Sequence, residues 1–348
     1  MPNAVRQRDL IFGCVAFDPR SGCGDGCDRG AYAKAIRRWA HSVRLHTDPA
    51  FTDVVLFTGS GHASIEAEPK LAAALRDCSV RTLSGDFFDR PERIAHTDAA
   101  RHVHCVVRNR WFVVRDFLRA HVSEYRSVLM SDVRDAVVQR DPFAWMPHGT
   151  NPFSLQHSVV FSGEGSGSVR TLRQSRKGVP RTLQCARDAS EVDRQRLLET
   201  EPLNAGVTLG GAHAFLNFTA ALSTLISRVT TTACLDVKDC TDQGLYNLLV
   251  YTHWAEYLPH TRRLVMQMER APSYTLGHKK SRVRLDANGR VLNDHADVPP
   301  VVHQFAKGSA GRALRRASSF MNFLRGHQGT AASARVPPVG PHVCYRGQ

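Results

Sequence analysis

The chain has 348 residues, 42% hydrophobic, 22% charged and 8% aromatic, which excludes a disordered or fibrous protein and supplies apolar mass for a sizeable core. Lys+Arg total 46 against 32 Asp+Glu, a formal net charge of +14, and only seven of the basic residues are lysines. Such a balance favours polyanions, phosphate-bearing ligands or anionic surfaces as partners, because a guanidinium forks onto phosphate oxygens in two parallel hydrogen bonds. No apolar run reaches the roughly 18 to 20 residues that cross a bilayer, and the N-terminal apolar stretch is too short and too strand-like for a signal peptide. The expectation is a soluble, cytoplasmic chain.

In chain order, Leu10 to Phe17 reads as a buried strand closed by Asp18-Pro19. Tyr32, Ile36, Trp39, Ala40 and Val43 then form one apolar helical face opposite Lys34, Arg37, Arg38, His41 and Arg44. Val54 to Thr58 repeats the strand signal, Pro69 opens a helix through Leu75, and Val80 to Leu83 is a third strand. A long amphipathic pattern follows over Asp98 to His121, and Ser127 to Met130 is a fourth strand that runs into acidic residues. Strand and helix in alternation predict an α/β fold with a doubly wound sheet flanked by helices. Ligands of such sheets bind beyond the carboxyl ends of the strands, where strand order reverses.

Residues 162–190 read as a mobile basic loop, Gly- and Ser-rich at first and then carrying Arg170, Arg173, Arg176, Lys177 and Arg181. After Leu203 a strand, a helix over Ala214 to Arg228, and a helix over Thr241 to His253 with Thr241 as N-cap are expected. The division is a main domain over 1–307 and, over 308–348, a basic C-terminal helix and flexible tail. In that helix Ala313, Ala317, Phe320 and Leu324 share a face beside Arg312, Arg315 and Arg316. The loop and tail could meet an anionic surface. The cysteines are nine, an odd number without a dense framework, so reduced thiols are expected. Cys23 and Cys27 lack a second Cys or His pair at zinc-finger spacing and read as a surface loop.

Chemistry concentrates in Tyr125-Arg126-Ser127-Val128-Leu129-Met130-Ser131-Asp132-Val133-Arg134-Asp135, which continues to Gln139 and Asp141-Pro142-Phe143. An apolar strand that delivers two carboxylates at its carboxyl end offers oxygen ligands to a hard divalent cation, which would bridge a diphosphate. The plainer alternative is that Asp132 caps the following turn and Asp135 pairs with an arginine. There is no phosphate-loop signature, no G-x-G-x-x-G after a strand, no H-E-x-x-H and no G-x-S-x-G, which excludes the corresponding kinases, dehydrogenases, zincins and hydrolases.

That acidic segment resembles the strand and turn of GT-A nucleotide-sugar glycosyltransferases. Three further segments do so in the family's order: Leu203 to Gly211 (LNAGVTLGG), Thr241 to Asn247 (TDQGLYN) and Val301 to Phe305 (VVHQF). The resemblance spans roughly Arg108 to Lys307. It implies a Rossmann-like mixed sheet and transfer of a sugar from a nucleoside diphosphate donor, a UDP-sugar, to an acceptor hydroxyl of a glycan, glycoprotein or glycolipid, with retention of configuration. It implies Mn²⁺ or Mg²⁺ held by Asp132, Asp135 and His303. Catalytic roles fall to Asp242, Asn204 and Gln243, and donor or diphosphate binding to Asp132, Arg134, Arg110, Arg115, Gly206 and Lys307. The base pocket falls to Ala16, Phe17 and Thr58 by fold geometry. Where the family often writes D-x-D, this chain has Arg134 in place of the second aspartate, which puts metal dependence in question. Related enzymes often work in the Golgi lumen behind an anchor, which would have to lie outside this sequence. Two other readings stand beside this one: a basic nucleic-acid-binding protein, and an inactive domain that only binds sugar nucleotides.

Overall fold

A computed structural model describes residues 7–15, 29–59, 65, 68–85, 99–145, 153–164, 171–174, 178–186, 189–229, 241–276, 283–305, 313–314 and 316–324. Its elements are β1 (Arg8–Cys14), α1 (Arg29–His46), β2 (Thr52–Gly59), α2 (Pro69–Asp77), β3 (Val80–Ser84), α3 (Ala99–His121), β4 (Tyr125–Asp132), β5 (Ala136–Val138), α4 (Phe153–Gln156) and β6 (Ser158–Gly163). They continue with α5 (Gly178–Cys185), α6 (Glu191–Leu198), β7 (Leu203–Gly211), α7 (Ala212–Val229), α8 (Asp242–Tyr251), α9 (Trp254–Tyr257), β8 (Arg262–Met266), β9 (Ser273–Thr275), β10 (Arg284–Leu285), β11 (Val291–Leu292), β12 (Val301–His303) and α10 (Ser318–Leu324).

The main sheet has seven strands in the order β3-β2-β1-β4-β7-β6-β8. The first four are parallel, β7 runs antiparallel to both β4 and β6, and β8 is parallel to β6. The sheet is therefore mixed, as the resemblance implied. Both faces are covered, which is why its strands read as continuous apolar runs rather than alternating ones. Leu10, Phe12, Val128 and Met130 pack under α3, α7 and α8 on one side. Ile11, Leu129 and Val160 meet Ile36, Trp39 and Val43 of α1 on the other.

From β1 the chain winds outward through β2 and β3, and returns on β1's other side as β4. The reversal point lies between β1 and β4, and at their carboxyl ends Cys14 stands directly opposite Asp132. A second, three-stranded sheet in the order β5-β12-β9 brings His303 to the same end, with His303 in register with Ala136 on one side and Thr275 on the other. The chain leaves β12 through Gln304 in the left-handed region at φ 55°, a strained conformation for a residue with a side chain. Gln139, at the end of the acidic segment, is fully buried and clamps β11: Val291 N donates to its Oε1 at 2.6 Å, and its Nε2 donates to Val291 O at 3.2 Å.

Within 162–190, described residues form a short 3-10 turn at Leu172–Gln174 and the helix α5, with Leu172, Thr182, Cys185 and Ala186 buried. Arg173 pairs with Glu199 at 2.6 Å, while Arg170, Arg176 and Lys177 lie outside the described residues. Cys185 is held in a disulfide, contrary to the expectation of reduced thiols; Cys14 and Cys78 are thiols outside any disulfide, and Cys23 and Cys27 lie outside the described residues. Among the described residues no helix is long and apolar enough to cross a membrane.

Beyond the expected domain boundary, Phe320, Phe323 and Leu324 of α10 pack with Tyr274, Val302 and Phe305 around the small sheet; Arg312 and Arg315 lie outside the described residues. The Phe323 ring also stacks on His46, at 5.9 Å between centroids. Burial, with Arg290 and His41 nearby, brings the His46 pKa down to about 4 from its ordinary 6.5. The unfolded chain therefore takes up a proton that the folded one refuses between those values. Stability from this group is complete above about pH 6.5 and falls as pH drops toward 4. Unfolding free energies from urea titrations at pH 7.5 and 5 should differ by on the order of 2 kcal/mol more in the wild type than in His46→Phe. Equal pH sensitivity in the two would refute that assignment.

Candidate active site

Four elements deliver side chains to one point beyond the carboxyl ends of β1 and β4. Asp132 is the last residue of β4 and Asp135 follows in the turn to β5; Asp135 is buried and Asp132 half-exposed. His303, 2% exposed, comes from β12. One ligand atom from each of Asp132, Asp135 and His303 lies within 4.8 Å of the others. Two carboxylates and an imidazole suit Mn²⁺, and the carboxylates alone suit Mg²⁺. The room is there because residue 206 on β7 is glycine: a Cβ at that position would sit 2.5 Å from Asp132 Oδ2 and 2.6 Å from His303 Nε2.

Asn204, fully buried at the start of β7, fixes the imidazole. Gly206 N donates to its Oδ1 at 2.7 Å, which turns its Nδ2 toward His303 Nδ1 at 2.8 Å, Thr275 Oγ1 at 2.8 Å and Ser273 Oγ at 3.3 Å. In its neutral form His303 accepts at Nδ1 and carries its hydrogen on Nε2, toward Asp132 Oδ2 at 3.1 Å. A cation ligated at Nε2 would take that hydrogen's place. Burial opposes a charge on His303, but the hydrogen bond to Asp132 and the charge of Asp135 outweigh it and raise its pKa.

Arg110, on α3, joins this group to α8. Its Nη1 donates to Asp132 Oδ1 at 2.5 Å, and its Nη2 donates to Asp242 Oδ2 at 2.6 Å and to Ala205 O at 2.9 Å. Burial disfavours the cation, yet Asp242 and Asp132 more than compensate and its pKa stands above the usual arginine value. For Asp132 burial works the other way, and Arg110 and His303 hold the carboxyl well below the ordinary range. Asp242 opens α8, whose N-cap Thr241 accepts from Gly244 N, so its side chain stands in the first turn of the helix beside the Arg110 guanidinium. Burial, with the Asp132 charge nearby, pushes the Cys14 thiol up to about 12.

Of the residues expected from sequence, Asp132, Asp135, His303, Asn204, Gly206, Arg110 and Asp242 converge, with Gln243 beside Asp242. Arg134 is exposed on the acidic turn. Arg115 is buried one and a half turns beyond Arg110, pairs with Asp116 at 2.8 Å and lies over the Phe112 ring at 5.1 Å. Thr58 is buried at the end of β2 and donates to Leu83 O at 3.2 Å, and Lys307, Ala16 and Phe17 lie outside the described residues. Sequence reasoning missed Ser273 and Thr275, which hold Asn204, and Glu164, which follows β6 and accepts from Gln243 Nε2 at 2.6 Å. The available signal for Glu164 was its place at the carboxyl end of an apolar strand.

No family model matches the chain, and no curated protein matches it. Among solved structures it is similar to the galactosyltransferase LgtC in complex with donor and acceptor sugar analogs, at 14% identity over 93% of this chain and 97% of that one, with a TM-score of 0.47. A likeness of that size does not carry chemistry from one chain to the other; the side chains at the carboxyl ends of β1 and β4 have to supply it.

Proposed function

We propose that the chain is a GT-A glycosyltransferase that moves a sugar from a nucleoside diphosphate donor, a UDP-sugar, to an acceptor hydroxyl with retention of configuration. The observation that supports this most is the meeting of Asp132, Asp135 and His303 at a glycine-lined space beside a second, arginine-bridged carboxylate, Asp242. Asp132, Asp135 and His303 would hold Mn²⁺ or Mg²⁺, which when bound neutralises the charge of a departing diphosphate.

In transfer, the bond from the anomeric carbon to the diphosphate oxygen breaks with its electron pair going to the diphosphate. A bond to the acceptor oxygen forms, and the acceptor hydroxyl passes its proton to the departing diphosphate. The anomeric carbon gains positive character on the way, which the Asp242 carboxylate and the Gln243 carboxamide oxygen stabilise as preorganised dipole and charge. Arg110 holds the Asp242 side chain in place, and Asn204 holds the imidazole of His303.

Calorimetry with UDP, with and without Mn²⁺, and release of UDP from UDP-glucose and UDP-galactose test this reading. UDP binding that strengthens at least tenfold with Mn²⁺, and turnover lost on adding EDTA, are the expected results. UDP binding indifferent to Mn²⁺ and without turnover would favour an inactive sugar-nucleotide-binding domain. Oligonucleotide binding that weakens steeply with salt, without UDP binding, would favour the nucleic-acid reading.

A further inference from the structure

Glu164 stands just past the carboxyl end of β6, 6% exposed. Its backbone is tied down, since Glu164 N donates to Pro202 O at 2.6 Å and Gly163 pairs in register with Leu203. A buried carboxylate is expensive without partners, and one that this one has is the Gln243 side chain: Nε2 donates to Glu164 Oε2 at 2.6 Å and to Leu203 O at 2.8 Å. Leu203 is clamped from its other side, because its N donates to Asn247 Oδ1 at 3.0 Å while Asn247 Nδ2 donates to Gln243 O at 2.6 Å. The first turn of α8 is thus stitched to the start of β7 and the end of β6.

This arrangement decides which way round the Gln243 amide sits. Both acceptors, a carboxylate and a carbonyl, can only accept, so each requires an N–H and together they use both hydrogens of Nε2. The oxygen Oε1 is left on the other branch of the amide, and it accepts no hydrogen bond among the described residues. Along α8 from Asp242 to Val250, Gln243 is the one residue that is not buried. A lone-pair donor with a fixed direction therefore stands at solvent's edge next to Asp242, whose carboxylate is already locked by Arg110. A carboxylate is better suited to this than an amide would be, because Gln or Asn at 164 could pair with Gln243 in either orientation.

We propose that Glu164 is a positioning residue: it holds the Gln243 carboxamide so that its oxygen, and not its nitrogen, is presented beside Asp242 to the reacting sugar. The proposal rests on the glycosyltransferase reading for the reaction, but the clamp itself can be read without turnover. In Glu164→Ala, kcat for UDP release from UDP-galactose should fall roughly 10- to 100-fold, with UDP affinity in Mn²⁺ within about twofold of wild type. Glu164→Gln, which keeps an acceptor at the same reach but can pair either way round, should recover part of that loss. The double variant Glu164→Ala/Gln243→Ala should be no slower than Gln243→Ala, because both changes remove one interaction.

Independently of activity, the Gln243 side-chain amide protons, assigned by their loss in Gln243→Ala, should shift on Glu164→Ala as the charge-assisted hydrogen bond is removed. Multiplying losses in the double variant, an unmoved amide signal, or a fall in UDP affinity as large as the fall in kcat would each overturn the proposal. A wild-type chain that neither binds nor releases UDP while the amide signal still shifts would overturn the reaction assigned to Gln243 and leave the clamp standing, which separates the two failures.

Discussion

Replacing Arg110 by Met should destabilise the protein by about 3 kcal/mol, in contrast to less than 1 kcal/mol for Arg173→Ala at the exposed pair with Glu199. The reason is where the charges sit. The side chains of Arg110 and Asp242 are only 10% and 12% exposed, so without the guanidinium the Asp242 carboxylate loses this cation from a place water scarcely reaches. Asp132 is 30% exposed on its side chain and can recover some hydration, which keeps the expected loss at the low end of what breaking a buried pair costs.

Arg110→Lys should recover only a fraction, since an ammonium lacks the planar fork that serves two carboxylates and a carbonyl at once. The pH dependence carries a sign as well. Asp132 is held below its ordinary value in the fold, so its share of the stability is present above about pH 4 and is lost as pH falls below that. The gap between wild type and Arg110→Met in urea unfolding should therefore be widest near neutrality and narrow in acid. A Met variant as stable as the Arg173→Ala control at pH 7 would remove Arg110 from its place as the site's keystone cation.

Arg110 also shows where sequence reasoning stops. The helical periodicity of α3 was legible from Trp111, Val114 and Leu118, but it places Arg110 and Arg115 alike near the edge of the apolar face. Their fates differ because Asp132 and Asp242, 22 and 132 residues away in sequence, reach Arg110, while Arg115 finds its neighbour Asp116. The acidic end of β4 was legible because a buried strand that stops on carboxylates is unusual whatever its fold.

Glu164 was hidden in a Gly/Ser-rich stretch whose polarity argues for a loop. What buries it is the antiparallel pairing of β6 with β7, a contact no local pattern contains. The mixed sheet has the same cause: alternating strands and helices predict parallel strands, and the insertion of β7 against the grain is a tertiary choice. The disulfide at Cys185 was likewise unreadable, because an odd and scattered set of cysteines says nothing about which ones the fold brings together.

Gly206→Ala should abolish Mn²⁺-dependent turnover, at least a hundredfold, while leaving the fold intact. The added methyl would stand 2.5 Å from Asp132 Oδ2 and 2.6 Å from His303 Nε2, so at least one of the two must move. Neither moves cheaply. Asp132 is held by Arg110, and His303 is buried with its ring fixed by Asn204. A misplacement of about 1 Å among groups that must act together is enough for a loss of that size.

The methyl meets functional side-chain atoms and not backbone, so the fold should survive with the loss of about 1 to 3 kcal/mol that overpacking costs; circular dichroism against temperature would check it. Asp132→Ala should lose the same activity for a different reason, the absence of the carboxylate. The double variant Gly206→Ala/Asp132→Ala should then be no worse than Asp132→Ala, even though half of the crowding has been relieved. Wild-type Mn²⁺-dependent turnover in either single variant would mean that the space framed by β4, β7 and β12 is not where the donor's diphosphate is bound.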